Sequence, residues 1–532
     1  MISPRLSPLT RFSPLTRLSP LSLEAPGHWR SLGLAACITL AIAPAMPLLW
    51  AAIGSGEFGL GQAYGNAMSS SLWVALLVLG VSLAVGLPAG VLSALCQFRG
   101  RSVLLALAIL PALAPSFLWA IGWSALAARL GPVAMSVASG YTGSVIVFCA
   151  SAIPIVLLTV FAATRMLTAS QLDAARLADG NRGMLSHACL HALPPALVAA
   201  ALVSVLTLSD PGPAQILGLR SAASEILTSF SALYDFPLAG RQSAVLALVV
   251  LMLVAPLVAL AAPRLLSELL VKQVRSSEPL RGGSIVILAA GLLMAITLIG
   301  LALPLAGLVW PLGAGRGIEA GRAWQAIVRT GANTLVYALG AAVIASAVGL
   351  LSAFFAGRSR RLRAVCLGVS LALFAQPPAL IALGLVQLGT AAPEWADPML
   401  RSRVTVCVAL GLRLFPVAAV LGLRAWGSMP VSWASAASLS GVPPGVYLRR
   451  VVSPFLLPTL TVAMLLASLL AAADVGTVLL LHPPGEASLP LAIFSVMANA
   501  PESLVASLCL AYLLVAGSLL AALLGCASRG RT

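Results

Sequence analysis

The sequence predicts an all-α, polytopic membrane protein of about twelve transmembrane helices, arranged as two parallel six-helix repeats. Of its 532 residues, 60% are hydrophobic and only 9% are charged, whereas soluble domains contain about 25% charged residues. Apolar runs that reach the roughly 20 residues of a membrane-spanning helix recur along the whole chain. The second half of the sequence also repeats features of the first half.

Twelve apolar segments are candidates for spanning helices. They are too long for the roughly ten-residue alternation of barrel strands, which excludes a membrane β-barrel as the expected fold. The predicted spans are 31–51, 67–95, 103–128, 141–163, 193–212, 243–262, 284–310, 331–356, 363–390, 403–424, 457–481 and 502–526.

The two halves match at a nearly constant shift of about 263 positions. Pro115 corresponds to Pro378, and Asp210 corresponds to Asp474 to within a residue or two. Self-similarity over half a chain indicates duplication. Because each half contains six spans, an even number, both copies enter the membrane in the same direction and are parallel repeats.

The repeat divides the chain into four parts. In residues 1–30 the units RLSPLT, RFSPLT and RLSPLS follow one another. Because proline interrupts every unit, we expect a disordered basic tail. The first module covers 31–262, a cytoplasmic linker covers 263–283, and the second module covers 284–532.

Basic residues indicate the orientation in the membrane. With the N-terminus inside, most arginines and the single lysine, Lys272, fall on the cytoplasmic side, as the positive-inside rule requires. Both termini are then cytoplasmic. The net charge of +16 therefore reflects the basic residues of the cytoplasmic side, which face the anionic lipids of the inner leaflet. The sequence has no basic stretch interleaved with aromatic residues, so we do not expect nucleic-acid binding.

Motifs for catalysis are missing from the sequence. The only lysine, Lys272, does not follow a glycine, so the usual phosphate-binding loop of an ATPase is not present. Neither a G-x-S-x-G nor an H-E-x-x-H motif occurs. His187 and His191 stand four residues apart without a third ligand nearby, and the eight cysteines form no C-x-x-C pair. We therefore predict no enzyme, no metal site and no bound cofactor on this chain.

Two acids and two prolines are candidates for a translocation path or gate. Asp210 and Asp474 lie near the predicted outer ends of the fifth and eleventh spans, and each is followed two positions later by glycine. Ionisable groups within a membrane usually mark function. The alternative is a helix-end carboxylate that accepts local backbone hydrogen bonds. Pro115 and Pro378 would interrupt matching spans, either along a water-filled path or as structural kinks.

Two segments between spans, 173–195 and 435–458, share one pattern of small residues, glycine and proline. They resemble the EAA motif of binding-protein-dependent ABC importer permeases, E-A-A-x3-G-x9-I-x-L-P. Ser435 replaces the motif's glutamate in the second segment, and the first offers Asp173 there and is one residue longer. The matching positions are Asp173, Ala174, Ala175, Gly180, Pro194, Ser435, Ala436, Ala437, Gly441 and Pro454.

This resemblance covers nearly the whole chain as two fused permease modules of the type I importer kind. It implies that each segment is a short coupling helix that docks on a cytoplasmic ABC ATPase subunit. Two ATPase copies would bind ATP and Mg²⁺, and a periplasmic substrate-binding protein would dock on the outer loops, about 211–242 and 482–501. It also implies location in a bacterial inner membrane.

The sequence gives less information about the transported cargo than about the architecture of the protein. The segments that begin at Ser209 and Thr477 look most like iron(III)-type importers, so iron(III) is the expected cargo. Thiamine, phosphonate or another small solute is the alternative within the same class. An ion-coupled secondary transporter, which also uses two six-span repeats, is the alternative from a different class.

Overall fold

The computed structural model describes residues 28–54, 59–270, 280–314, 317–497 and 499–529. Over these ranges the chain is built from helices, and its β-type pairing amounts to an isolated bridge between Cys96 and Leu280. In the described part of the chain, ten helices are long and apolar enough to cross a membrane, or up to twelve if two bent pairs each count as one span. The prediction of an all-α, multi-pass protein is confirmed. The tail up to residue 27 and linker residues 271–279 lie outside the described residues.

Within the described residues, eleven α-helices precede the linker. A 3-10 turn, Ala43–Ala45, joins the first two. In chain order they are α1 (His28–Ile42), α2 (Met46–Gly54), α3 (Gln62–Leu95), α4 (Arg101–Leu113), α5 (Ser116–Leu130), α6 (Pro132–Ala138), α7 (Gly140–Thr164), α8 (Ala169–Leu208), α9 (Gly212–Ile216), α10 (Ala222–Ser231) and α11 (Phe236–Leu270).

Thirteen α-helices follow the linker within the described residues, together with short 3-10 and π-helical turns at Leu298–Ala302, Trp310–Ala314, Glu394–Ala396 and Leu448–Val452. They are α12 (Ser284–Thr297), α13 (Leu303–Val309), α14 (Gly317–Ala356), α15 (Arg360–Phe374), α16 (Pro378–Ala391), α17 (Asp397–Leu400), α18 (Arg403–Ser428), α19 (Val431–Leu439), α20 (Pro444–Tyr447), α21 (Ser453–Ala473), α22 (Gly476–Leu481), α23 (Leu489–Val496) and α24 (Glu502–Arg529).

The third and ninth predicted spans are each broken into two helices. The axes bend by 102° between α4 and α5 and by 83° between α15 and α16. Pro115 (φ −56°, ψ 134°) and Pro377 (φ −60°, ψ 139°) stand at the two breaks in the same extended conformation. Proline lacks the N–H that would continue the helical ladder, so the helix ends before it. By position, the counterpart of Pro115 is therefore Pro377 rather than the predicted Pro378.

Three long helices form the centre of each half. In the first half α3, α7 and α8 pack together, and in the second half α14, α18 and α21 do the same. A further hydrogen bond recurs in both halves. The Ser71 hydroxyl accepts from the Ala222 N–H at 2.9 Å, and the Thr334 hydroxyl accepts from the Leu489 N–H at 2.8 Å. Each bond fastens a long helix to the start of a short one, α10 or α23.

The first helix of each half packs against the opposite half. α1 contacts α14 and α15, whereas α12 contacts α3 and α4. Two glycines allow close approach further along. A Cβ at Gly384 on α16 would overlap the carbonyl oxygen of Pro44, and one at Gly122 on α5 would overlap that of Pro304. Exchange of these helices joins the two halves into one unit around the broken spans.

Candidate functional site

The broken spans bring the four predicted path residues to one cavity of ≈ 250 Å³. Pro115 and Asp210 line it from the first half, and Pro378 and Asp474 line it from the second. Pro115 stands at the first bend, and Pro378 is the first residue of the helix after the second bend. Both acids follow the end of a long helix: α8 ends at Leu208 and α21 at Ala473. The cavity therefore lies where four interrupted helices meet.

Asp210 is held by its own half of the chain. The Ser116 hydroxyl at the start of α5 donates to one carboxylate oxygen, Oδ2. The Gly212 N–H donates to the other, Oδ1, at 2.9 Å. Gly212 packs tightly, because a Cβ there would come within 2.9 Å of the Phe117 Cβ. The local backbone bond expected for a helix-end acid is thus present, in a carboxylate that also lines the cavity.

Asp474 has a cationic partner. Its Oδ2 forms an ion pair with the Arg413 guanidinium on α18, and its Oδ1 accepts from the Thr477 N–H at 2.7 Å. Asp474 is 8% exposed, so this pair is shielded from solvent. Burial of a charge is costly unless it is paired, and Arg413 supplies that pairing.

Arg413 was not among the residues predicted from the sequence. It is the basic residue in the middle of the apolar run 403–424, and that isolation was the available signal. At the shift that aligns Pro416 with Pro154, its counterpart is Ser151, a neutral residue. The cavity therefore holds two carboxylates and one guanidinium, and within the described ranges no basic side chain is in ion-pair contact with Asp210.

The remaining cavity wall is largely apolar. Phe117, Phe374 and Phe494 line it, and the rings of Phe117 and Phe494 from opposite halves meet edge to face at 5.7 Å. Ser209 also lines the cavity. It is 5% exposed, and its hydroxyl has no hydrogen-bond partner among the residues that the structure describes. The cavity thus combines aromatic surface with a few polar groups.

The first predicted docking segment is an exposed helical turn at the start of α8. The Thr168 and Gln171 side chains cap it in a reciprocal capping box. Asp173 and Ala174 are exposed, and Ala175 is half-buried. At Asp179 and Gly180 the backbone leaves helical geometry, with Gly180 at φ +58°. A short helix therefore precedes the spanning part of α8, where Pro194 lies within the helix.

The second predicted segment has the same design. α19 contains Ser435, Ala436 and Ala437, and it ends before Gly441, which has φ +64°. Glycine adopts this left-handed geometry without steric cost. An open groove of ≈ 820 Å³ runs beside the helix, lined by Ala436, Ala437 and Pro454 together with Trp433, Phe455 and other residues.

Each segment has a leucine that is almost fully exposed, just after the alanine pair. Leu177 and Leu439 are each 89% exposed, and each stands two positions after its alanine pair. Leu172 and Ala434, on the inner side of the two helices, are buried. The sequence prediction missed these leucines, although their equal spacing from the alanines was visible. A nearly fully exposed leucine therefore stands at the same place in both segments.

Two ion pairs connect elements in the predicted outer loops. Arg129 contacts Glu502 at 2.9 Å and so links the two halves. Arg403 contacts Glu486 at 2.7 Å, and its hydrogen bond lowers the pKa of the Glu486 carboxyl from its usual value. Among the described residues no three His, Cys, Asp or Glu side chains converge in a way that could hold a metal ion.

No family model matches the chain, and no curated protein or solved structure matches it.

Proposed function

We propose that the chain is the transmembrane permease subunit of an ATP-driven, binding-protein-dependent ABC importer. The observation that carries the proposal is the matched pair of exposed helices, each ended by a glycine with positive φ and each presenting an exposed leucine. Such a pair gives two equivalent docking points. It suits a partner that is itself present in two copies.

The packing supports a chain built from two parallel six-helix modules. Corresponding helices make corresponding contacts in both halves, including the matched hydrogen bonds of Ser71 and Thr334. The broken spans and the helix-end acids also recur. This correspondence agrees with the duplication that the sequence indicates, and with an axis between the halves that passes near the cavity.

Energy would come from ATP and Mg²⁺ bound by two copies of a separate cytoplasmic ATPase. The small side chains of Ala174 and Ala436 allow a partner surface to approach closely, and Leu177 and Leu439 would enter its apolar pockets. Movement of the two ATPases would reach the cavity along α8 and α21, since the first docking segment begins α8, the second precedes α21, and an acid follows each helix. The two halves would then rock about the cavity.

A periplasmic binding protein would deliver the cargo to the outer loops, in a bacterial inner membrane with both termini cytoplasmic. Iron(III) is the cargo implied by the resemblance of the segments at Ser209 and Thr477. Thiamine, phosphonate and other small solutes are the alternatives. Among the described residues that line the cavity, a passing metal ion would meet two carboxylates, those of Asp210 and Asp474.

Co-purification with candidate ABC ATPases tests the proposal. We expect two ATPase copies per chain and ATP hydrolysis that the binding protein stimulates. The double change Leu177→Glu and Leu439→Glu should weaken ATPase binding by about tenfold or more, because each buried leucine is worth about 1.5–3 kcal/mol. Met399→Glu is the matched control, since Met399 is 63% exposed and lies outside both segments. Failure to bind any ATPase, or wild-type binding by the double variant, would refute the proposal.

An ion-coupled secondary transporter is the second candidate. The observation in its favour is Asp210, a carboxylate without an ion-pair partner in the described part of the chain and next to a buried arginine–aspartate pair. Acids in such settings can carry coupling ions. Uptake by the chain alone, driven by an ion gradient and without any ATPase, would identify this class.

A further inference from the structure

We propose that the cavity between the two halves binds a positively charged organic group, which pairs with Asp210. This inference rests on the proposed transport function, because it identifies the class of cargo that the cavity would accept. It depends on the charge balance of the cavity, on one free hydroxyl and on the aromatic wall.

The charge balance favours a cation. Arg413 is engaged by Asp474, so the guanidinium is not available to an anionic ligand unless that pair breaks. Among the described residues, Asp210 receives hydrogen bonds from a neutral hydroxyl and a backbone N–H, and Arg413 acts on it across the cavity without ion-pair contact. With both acids ionised, the three groups carry one surplus negative charge. A charge buried in a membrane is costly until a partner compensates it, and a ligand with one positive charge would do so.

Ser209 provides an independent sign of a ligand. Its hydroxyl is buried and has no partner among the described residues, although it lines the same cavity as Asp210. Buried polar groups in folded proteins are nearly always hydrogen-bonded. A cationic ligand with an N–H group, bound at Asp210, would supply the missing bond once the Ser209 side chain turned toward the cavity.

The walls favour an organic cation over a metal ion. Phe117, Phe374 and Phe494 line the cavity, and aromatic faces attract organic cations such as quaternary ammonium groups. Hard metal ions require about six oxygen ligands. Within the described residues no three metal-binding side chains come together. A volume of ≈ 250 Å³ also leaves room for a small organic group beside the charged side chains.

Thermal unfolding of the full chain in lipid nanodiscs tests the proposal. Tetramethylammonium chloride replaces sodium chloride at constant ionic strength, and Mn²⁺ and methylphosphonate serve as the metal and anion probes. Tetramethylammonium should raise the midpoint by about 2 °C or more. Asp210→Asn should raise its half-saturating concentration about tenfold or more, since it removes a charged partner. The control Asp397→Asn alters an acid in an exposed ion pair outside the cavity and should bind as the wild type does.

Ser209→Ala is the second variant, chosen because loss of an unpartnered hydroxyl should leave folding intact. With methylammonium chloride as the probe, whose N–H groups can donate to the hydroxyl, it should raise the half-saturating concentration about 2- to 10-fold. Absence of any tetramethylammonium effect on the wild type would overturn the proposal, as would stabilisation by Mn²⁺ or methylphosphonate alone. Equal binding by the Asp210→Asn and wild-type proteins would overturn it too. Because no ATPase is present in the assay, a negative result leaves the co-purification test of the importer proposal unaffected.

Discussion

Replacing Arg413 with glutamine should destabilise the protein strongly, because it leaves Asp474 as a buried carboxylate without a counter-charge. Asp474 is 8% exposed and would keep only the hydrogen bond from the Thr477 N–H. Removal of one partner from a buried ion pair costs about 3–5 kcal/mol. We therefore expect Arg413→Gln to lower the free energy of unfolding by about that amount.

The partner variant should be less severe. Asp474→Asn leaves Arg413 buried, but Asp210 still acts on the guanidinium electrostatically across the cavity. The double variant, Arg413→Gln with Asp474→Asn, has no unpaired charge at this position and should recover much of the loss. Neighbouring groups in one network typically couple by 0.5–3 kcal/mol, and we expect this pair at about 2 kcal/mol or above.

Unfolding in mixed micelles of SDS and a mild detergent, followed by tryptophan fluorescence, gives the four free energies of the cycle. Arg401→Gln is the control, because Arg401 forms an exposed ion pair with Asp397 at 78% and 41% side-chain exposure. Exposed pairs of this spacing contribute about 0.3–0.5 kcal/mol. If Arg413→Gln unfolds within about 1 kcal/mol of the wild type, or if Asp474→Asn fails to compensate it, the ion pair does not have the role assigned here.

Three further predictions concern packing, docking and pH. Gly384→Ala places a Cβ on a facing carbonyl oxygen and should cost about 1–3 kcal/mol of unfolding free energy, whereas Gly389→Ala on the same helix meets open space and should be neutral or slightly stabilising. Gly441→Ala strains a backbone at φ +64° by about 1–2 kcal/mol, so ATPase co-purification should fall while the cavity's ligand affinity stays constant. The pKa of Glu486 is lowered by Arg403, so this contact stabilises the protein above the usual glutamate pKa and is lost as pH falls through the lowered value. The stability advantage over Glu486→Gln, measured by SDS unfolding, should therefore be present at neutral pH and vanish in acid; an advantage that persists in acid would contradict it.

The sequence was sufficient to predict the helices because apolar run length and proline position are local properties. All twelve predicted spans overlap helices of the structure, and the acids at 210 and 474 do follow helix ends. The 102° and 83° bends were not predictable. Proline requires a break, but the close approaches of Gly122 to Pro304 and of Gly384 to Pro44 on the far side of the bends join segments that are distant in sequence.

The cavity depends on contacts between helices, which the pattern of apolar runs in the sequence does not reveal. Arg413 and Asp474 can pair only if α18 is positioned so that Arg413 lies beside the end of α21. Side-chain packing between the helices sets that position. Leu177 and Leu439 were overlooked for a related reason. A leucine in a short helix is usually expected on the buried face. The structure shows that Leu172 and Ala434 occupy the buried faces of these two helices.

The two halves repeat their acids but not the partners of those acids, and this difference determines how the cavity can work. Asp210 uses the hydroxyl of Ser116, whose counterpart at the second break is Pro378, a residue with no donor. Asp474 uses Arg413, whose counterpart, Ser151, is neutral and donates to the Pro111 carbonyl at 3.3 Å. A symmetric pair of arginines would have neutralised both acids and removed any preference for charge. With one arginine, the surplus negative charge lies on the side of the first half, so a charged ligand would bind in one orientation.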